Sequence, residues 1–385
     1  MTEKLYYKDG ELRSFTATVL SCEPEGDAYA VVLDRTAVFP GGGGQAADEG
    51  TLAGQKIVGM REAGETVYHI VPEPLEPGTI VAGEVDWAVR FPRMQLHSGE
   101  HIFSGTVHRL FHGENVGFHM GGGGMTLDFS VELSAGDIAR CELEANRAVW
   151  SDIPVESLTP SESELSGMEY RSKKELSGLV RIVRIPGVDT CACCAPHVAR
   201  TGEIGVIKVL DAMRHRGGTR ITLVCGEAAY RDYAELHRVN AHTSALLSAK
   251  RLETDSAVER VMGESEEKHA EITRLKREIL SLKAAALPET EGNICIFEPD
   301  LDSVTLRELV NAGVGKCSGV CAAFTGAGGG GYRYVIGSAR ADLRALSKDI
   351  NAAIEGRGGG SPAMIQGTCA ASRERIEAYF SSLEV

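Results

Sequence analysis

No stretch of the 385-residue chain approaches the roughly 18 uninterrupted apolar residues that a membrane-spanning helix needs. The first residues, MTEKLYYKDGELRSF, carry acidic groups and no apolar core run. Secretion and membrane spanning are both unsupported, and the cytoplasm is the expected compartment. An excess of positive charge is also missing. The formal net charge is −14, which argues against a general affinity for nucleic acid, because nonspecific binding rests on Lys and Arg neutralising phosphates. Any RNA partner has to be gripped by local patches. Disulfide-framework spacing is absent as well: three of the ten cysteines are packed into DTCACCAPH, a cluster that suits a metal better than a set of bridges. No repeated period of the solenoid kind occurs.

What is present is the balance of a folded chain, 43% hydrophobic and 24% charged, long enough for two or three cores. TATVLSC, YAVVLDRTAVF, QKIVGMR, TVYHIV and TIVAGEVDW read as short strands broken by turns. They predict a small β-barrel-like module over 1–90. Apolar Leu96, Phe103, Val107 and Leu110 predict a helix from Phe91 to near Gly113, opening an α+β core over 91–230. There MTLDFSVEL, LVRIVRI, GVIKVLDAMR and RITLVCG read as strands and DIARCELEANRAVWS as a helix. Gly occurs once and Pro not at all between Glu227 and Leu287, and Val258, Val261, Ile272, Leu275, Ile279 and Leu282 keep a 3,4 spacing, so 231–287 reads as a helical arm with a weak coiled-coil seam. Pro288 ends it, and 288–385 reads as an α/β domain around two glycine clusters, GAGGGGYRY and GRGGGSP. The fold class is α+β.

Within LHSGEH, His97 and His101 lie four residues apart on the predicted helix, so both imidazoles leave one face and can grip one ion. Cys193 and His197 form a distant CxxxH pair. Together they make a His3Cys set suited to tetrahedral zinc. Cys191 and Cys194 flank the presumed ligand and leave its register open, with Cys193 favoured on spacing. Pro196 disfavours a helix at this pair, so a stiff loop is expected to close onto the helix. His108 and His112 continue the same stripe but sit too far along the axis to share the ion, roughly 10 Å for His108. They read as surface or core histidines, with RNA contact as the sharper alternative. Glu100, three residues after His97, can approach the same face as a general base or as a supporting carboxylate beside the metal.

Four blocks resemble the alanyl-tRNA editing proteins of the AlaX type and the editing domain of alanyl-tRNA synthetase. DRTAVFPGGGGQAADEG is similar to that family's Thr-x-Phe-Tyr-Pro run and glycine stretch ending in Gln, with Thr36 and Gln45 at the matching places. RMQLHSGEH matches its HxxxH element, and CCAPHVARTGEIGVIKV resembles Cys-Gly-Gly-Thr-His-Val followed by Thr-Gly-Glu-Ile-Gly. GRGGGSPAMIQG resembles the glycine-rich element of the synthetase's C-terminal domain, a relative of the DHH-associated domains. Two departures stand out. Val38-Phe39 replaces Phe-Tyr and keeps an apolar wall, whereas Cys194-Ala195-Pro196 replaces Gly-Gly-Thr and alters the backbone beside the metal.

The resemblance implies a zinc-dependent deacylase that removes serine, or glycine, from mischarged tRNA(Ala). The chain starts directly with the β module, so it is expected to edit without charging. Thr36 is implied to recognise the noncognate amino acid through its hydroxyl, a contact that alanine cannot make. Gly41 to Gly44, with Gly42, Gly43 and Gly44 the substrate-binding candidates, would let the backbone approach the terminal adenosine or the aminoacyl group, and Gln45 is the polar and candidate catalytic group beside them. Arg357, Gly358, Gly359 and Gly360 suit approach to RNA phosphate, and the arm or the tail suits a homodimer. A four-ligand zinc resembles a closed structural site, so two mechanisms stay open: zinc acting on water or ester, or zinc only ordering the pocket. The alternatives are a noncatalytic tRNA-binding or dimerisation protein with a structural zinc, and a zinc hydrolase of another ester or amide.

Overall fold

A computed structural model describes residues 1–121, 124–172, 180–326 and 331–384, and the contacts divide the chain into two compact units, Met1–His242 and Thr243–Val385. The glycine run at 327–330 and the first residue of LVRIVRI lie outside the described residues. Both units mix helices and sheets, as the alternating periodicities imply.

The first unit begins with seven strands in the order Gln55–Lys56, Gly50–Leu52, Ile80–Val85, Ser14–Glu25, Ala28–Leu33, Thr66–Val71, Gly59–Ala63. The long strand Ser14–Glu25 carries the curvature. Its Ser14–Thr18 half pairs with Ile80–Glu84, and from Val19 onward, past an irregularity at Val19/Ser21, it pairs with Ala28–Leu33. Alternate residues Phe15, Ala17 and Val19 face the core with Val31, Leu33, Leu52 and Val81. Where a barrel-like module was expected, the sheet keeps two edges: among the described residues the strands Gln55–Lys56 and Gly59–Ala63 do not pair with each other.

Helix α1 (Trp87–Phe111) starts four residues before the expected Phe91 because Asp86 caps it, accepting from the Ala88 N–H at 3.0 Å. Pro92 sits inside the helix and forgoes one backbone hydrogen bond. The helix ends at Phe111. His112 takes a left-handed conformation (φ 53°) as its C-cap, so it leaves the stripe that the sequence spacing had assigned it. A four-stranded antiparallel sheet, ordered Asn115–Gly121, Gly124–Phe129, Gly218–Cys225, Ile207–His215, packs Met125, Leu127, Phe129, Ile221 and Leu223 against Met94, Ile102, Phe103 and Val107 of α1. Helix α2 (Ala135–Trp150), opened by a Ser134/Asp137 capping box, adds Cys141, Ala145 and Val149. A three-stranded sheet of Glu156–Leu158, Ile182–Ile185 and Asp189–Ala192 delivers the cysteine-bearing loop to the middle of α1.

The arm expected over 231–287 is two helices, Gly226–Leu247 and Thr254–Ala286, broken where Ser248 turns left-handed (φ 51°). The seam residues Val258, Val261, Ile272, Leu275, Ile279 and Leu282 are exposed. The second helix anchors in its own unit: Leu280 joins a core with Leu306, Leu309 and Val310, and the Lys316 ammonium donates to the Ala284, Ala285 and Leu287 carbonyls at 2.8–3.0 Å. A five-stranded sheet, ordered Ile294–Glu298, Cys321–Thr325, Tyr332–Gly337, Met364–Cys369, Gly356–Ser361, carries the tail. GRGGGS, a glycine cluster at the sequence level, is its edge strand. The packing explains the composition: a Cβ at Gly358 would stand 2.4 Å from the Tyr334 hydroxyl and 2.3 Å from the Gln366 carbonyl.

Candidate functional site

Residues 97 and 101 project from one face of α1, as i, i+4 spacing dictates. The loop after the strand Asp189–Ala192 brings Cys193 and His197 to that face. One ligand atom from each of His97, His101, Cys193 and His197 lies within 4.8 Å of the others. The Cys193 sulfur is 3.3 Å from His197 Nε2 and 3.5 Å from His97 Nε2. Zinc–nitrogen and zinc–sulfur bond lengths at a tetrahedral angle require a separation of about 3.5 Å, so the donor set fits such an ion. Burial alone would raise the Cys193 thiol, but the His97 and His197 rings hold it well below the usual thiol range. Its neighbours differ: burial raises Cys191, and pushes Cys194 up to about 11. Of the three cysteines in the loop, Cys193 is the one that meets the three imidazoles.

Each imidazole is tied through Nδ1. His97 Nδ1 lies 2.8 Å from Gln45 Oε1, His101 Nδ1 lies 3.0 Å from Asp189 Oδ2, and His197 Nδ1 lies 2.9 Å from Ser98 Oγ. The amide and carboxylate oxygens can only accept, so they put the His97 and His101 ring protons on Nδ1 and leave those Nε2 lone pairs for a metal, and the Ser98 hydroxyl is able to accept in the same way from His197. Burial pushes His197 down to about 3, whereas for His101 the burial penalty is outweighed by Asp189 and Cys193, which raise it.

Gln45 arrives on a tight hairpin. Gly42 and Gln45 exchange both backbone hydrogen bonds at 3.0 Å, and Gly41, Gly42, Gly43 and Gly44 all have positive φ. Gln45 is 3% exposed, and its Nε2 has no hydrogen-bond partner among the described residues. A buried amide donor without a partner costs free energy unless a ligand accepts from it. Glu100 is 1% exposed; its Oε1 accepts from Ser104 Oγ at 2.8 Å and Asn115 Nδ2 at 2.6 Å, while Oε2 stands 3.8 Å from His101 Nε2. The carboxylate is therefore aimed at the metal-facing side of His101.

Thr36 is fully buried. Its hydroxyl lies 2.8 Å from His69 Nε2 and accepts from the Val38 N–H at 3.1 Å. His69 Nδ1 faces the Val31 carbonyl, so Nε2 is the acceptor and Thr36 spends its proton there. Thr36 retains one acceptor position, not a free hydroxyl. His108 pairs with Glu114 at 2.9 Å on a half-exposed surface. Arg357, Gly358, Gly359 and Gly360 lie together on the edge strand of the second unit.

The framework behind the site carries residues without a motif. Arg90, fully buried, ion-pairs Asp48 and donates to the Gly10 and Ala37 carbonyls, and Asp48 accepts from the Phe39 N–H at 2.7 Å. Arg181 donates to the Cys193 and Ala195 carbonyls, clamping the Cys-Cys-Ala-Pro-His loop. One sequence signal was available: Asp189 stands two residues before Cys191, and metal-bound histidines commonly find a carboxylate.

Residues 180–222 match the family model described as the Threonyl and Alanyl tRNA synthetase second additional domain. The chain is 31% identical to an alanine–tRNA ligase of Pyrobaculum neutrophilum over 95% of its own length, but spans only 42% of that ligase. It is 25% identical to the alanyl-tRNA editing protein Aarsd1 of Mus musculus over 97% of this chain and 96% of that protein. A solved C-Ala domain of alanyl-tRNA synthetase from Aquifex aeolicus matches 23% of this chain and 87% of that one at 16% identity, with a TM-score of 0.21, too loose to carry a fold assignment. With the alanyl-tRNA editing protein AlaX-L of Pyrococcus horikoshii the identity is 31% over 74% of each chain, and at that similarity this chain belongs to the alanyl-tRNA editing protein family.

Proposed function

We propose that the chain is a zinc-holding aminoacyl-tRNA deacylase that acts in trans on tRNA(Ala) mischarged with serine, with glycine as a second target, and that it does not itself aminoacylate. The observation that carries this reading is the buried Gln45 Nε2, without a hydrogen-bond partner among the described residues, beside a His3Cys cluster. It is a donor waiting for an acceptor next to a place for a cation.

When bound, zinc would supply positive charge at the Nε2 atoms, able to polarise an ester carbonyl or acidify a water. Gln45 donates from Nε2 to the ester carbonyl oxygen as negative charge develops there. Water adds to the carbonyl carbon, and Glu100 takes its proton on Oε2 while Ser104 and Asn115 hold Oε1. The carbon–oxygen bond to the ribose then breaks, the ribose oxygen receives that proton, and the amino acid leaves as a carboxylic acid that gives its remaining proton to solvent. Thr36 offers its remaining acceptor position to the serine hydroxyl proton, a contact absent with alanine. Gly42, Gly43 and Gly44 leave room for the terminal adenosine. The edge strand with Arg357, Gly358, Gly359 and Gly360 is the RNA contact of the tail, and the exposed apolar seam of Thr254–Ala286 is the face for a homodimer in the cytoplasm.

The deciding measurement is deacylation of seryl-, glycyl- and alanyl-tRNA(Ala) by the zinc-loaded protein. Release of serine well ahead of alanine supports the reading. One observation favours a second reading, a noncatalytic tRNA-binding protein with a structural zinc: four protein side chains suffice to close a tetrahedral sphere. No release from any ester by protein that holds zinc and binds tRNA would establish that alternative.

A further inference from the structure

The three Nδ1 partners are not equivalent. His97 is tied to a neutral amide and His197 to a neutral hydroxyl, but His101 is tied to a carboxylate. That carboxylate is itself gripped: Arg171 donates from Nε to Asp189 Oδ1 at 2.7 Å and from Nη2 to Oδ2 at 2.9 Å, a two-point clamp that fixes the plane of the carboxyl group. Asp189 is 8% exposed, and the guanidinium side chain is largely covered.

The helix makes room for this arrangement. Gly105 lies one turn after His101 on α1, and a Cβ there would stand 2.6 Å from the Val188 carbonyl oxygen and 2.8 Å from the Asp189 Cβ. Only glycine lets the turn carrying Val188 and Asp189 approach closely enough for Asp189 to reach the His101 ring. Two independent features, a clamped carboxylate and a side chain omitted from the helix, thus serve one hydrogen bond.

We infer that Asp189, locked by Arg171 and admitted by Gly105, is the positioning residue that fixes His101 as the most strongly donating imidazole of the metal cluster. A carboxylate can only accept, so it holds the proton on Nδ1 and leaves Nε2 unprotonated for the ion. It also raises the basicity of the ring, which neutral Gln45 and Ser98 do less for theirs. The inference rests on the metal reading of the cluster and not on which ester is cut.

Asp189→Asn tests it. With its oxygen kept toward His101, the amide sets its own N–H2 against the Arg171 Nε donor that Oδ1 now accepts from, and with the amide turned over, an N–H toward Nδ1 drives the ring proton to Nε2, where the metal should bind. The full-length variant is compared with wild type by competition for zinc against a chromophoric chelator and by the visible spectrum of the cobalt-loaded protein. Expected are a 10- to 100-fold weaker zinc affinity, a shifted cobalt spectrum, and a smaller loss for Ser98→Ala. An affinity within about threefold of wild type, or one no weaker than that of Ser98→Ala, overturns the inference even if the melting temperature falls, since a purely structural ion pair predicts that result. Should Asp189→Asn fail to fold, Gly105→Ala decides in its place: it displaces Asp189 without touching a ligand, and unchanged zinc affinity in that variant rejects the positioning role. Neither readout depends on deacylation, so failure of the proposed activity is distinguishable.

Discussion

Gln45 and His97 face each other with amide oxygen and ring nitrogen 2.8 Å apart, and this one bond dictates which way the amide points. With Oε1 committed to the Nδ1 proton, Nε2 has to be directed elsewhere, and it is buried without a partner among the described residues. Gln45→Glu separates the two jobs. It keeps an acceptor for His97 and removes the donor. The expected result is retained zinc with a kcat for deacylation lower by roughly 10²- to 10³-fold, the cost of one lost donor to a developing oxyanion. A variant with wild-type kcat would falsify the role of the amide in the reaction.

Metal removal should be felt in stability as well as activity. The four candidate ligands come from α1 and from a loop about a hundred residues away, so an ion held by them would staple distant segments. A zinc concentration a thousand times the dissociation constant stabilises the folded state by about 4 kcal/mol. Dialysis against a strong chelator should lower the melting temperature, and zinc should restore it. His101→Ala should bind less than one equivalent and gain little on zinc addition. Chelation without any thermal shift would show that the cluster holds no metal in solution.

His69 gives a pH signature apart from the metal. Burial holds its pKa down to about 4, against about 6.5 for an exposed ring. Between these values the unfolded chain binds the extra proton, so stability is complete above about pH 6.5 and is lost as pH falls toward 4, with a full cost of order 3 kcal/mol. Urea unfolding of wild type and His69→Gln, followed from pH 7 to 4.5, should show the steeper decline in wild type. Parallel declines would mean that the ring is not held neutral in the native state.

The clustering of His97, His101, Cys193 and His197 was legible in the sequence because each half is local: a helix turns HxxxH into one face, and a short loop keeps CxxxH together. The anchors were not. Asp189 is 88 residues from His101, and Ser98 reaches a ring 99 residues away, contacts fixed by packing and not by spacing. The same distinction explains the errors in the fold. Strand patterns located Ser14–Glu25 and Ile80–Val85, but pairing decides whether a curved sheet closes, and GRGGGS, visible in the sequence only as a glycine cluster, is a strand in which Gly358 is required by the Tyr334 hydroxyl and the Gln366 carbonyl packed against it. The resemblance singled out the Thr36 hydroxyl, whereas its donation to His69 required the fold.

Behind the glycine hairpin, Asp48 joins two elements by accepting from the Phe39 backbone and from the buried Arg90. Removing one partner of a buried ion pair leaves the other charge uncompensated, at a cost of about 3–5 kcal/mol. Asp48→Ala should lower the unfolding free energy by that amount in a urea titration, while Arg90→Met combined with Asp48→Leu should recover much of it. The single variant should also lose deacylation more than zinc binding, because Phe39 leads into the hairpin that presents Gln45. Equal stability of single and double variants would show that the pair's charges are not what the site depends on.

The last constraint on Gln45 comes from its neighbour in sequence. Gly44 has φ +87°, and a Cβ on it would stand 2.1 Å from the Phe118 ring, whose centroid is 5.3 Å from that of His97. Gly44→Ala therefore combines backbone strain of about 1 kcal/mol or more with a clash against a ring that also packs on a ligand. Deacylation should fall at least tenfold with zinc content unchanged, since His97 keeps its place on α1 while Gln45 is displaced. Phe118→Ala removes the clash but not the strain, so the double variant should regain part of the lost melting temperature and activity. A double variant as impaired as Gly44→Ala alone would assign the effect to the left-handed backbone. Full recovery would instead make Phe118 the wall against which the glycine hairpin, and through it the Gln45 amide, is set.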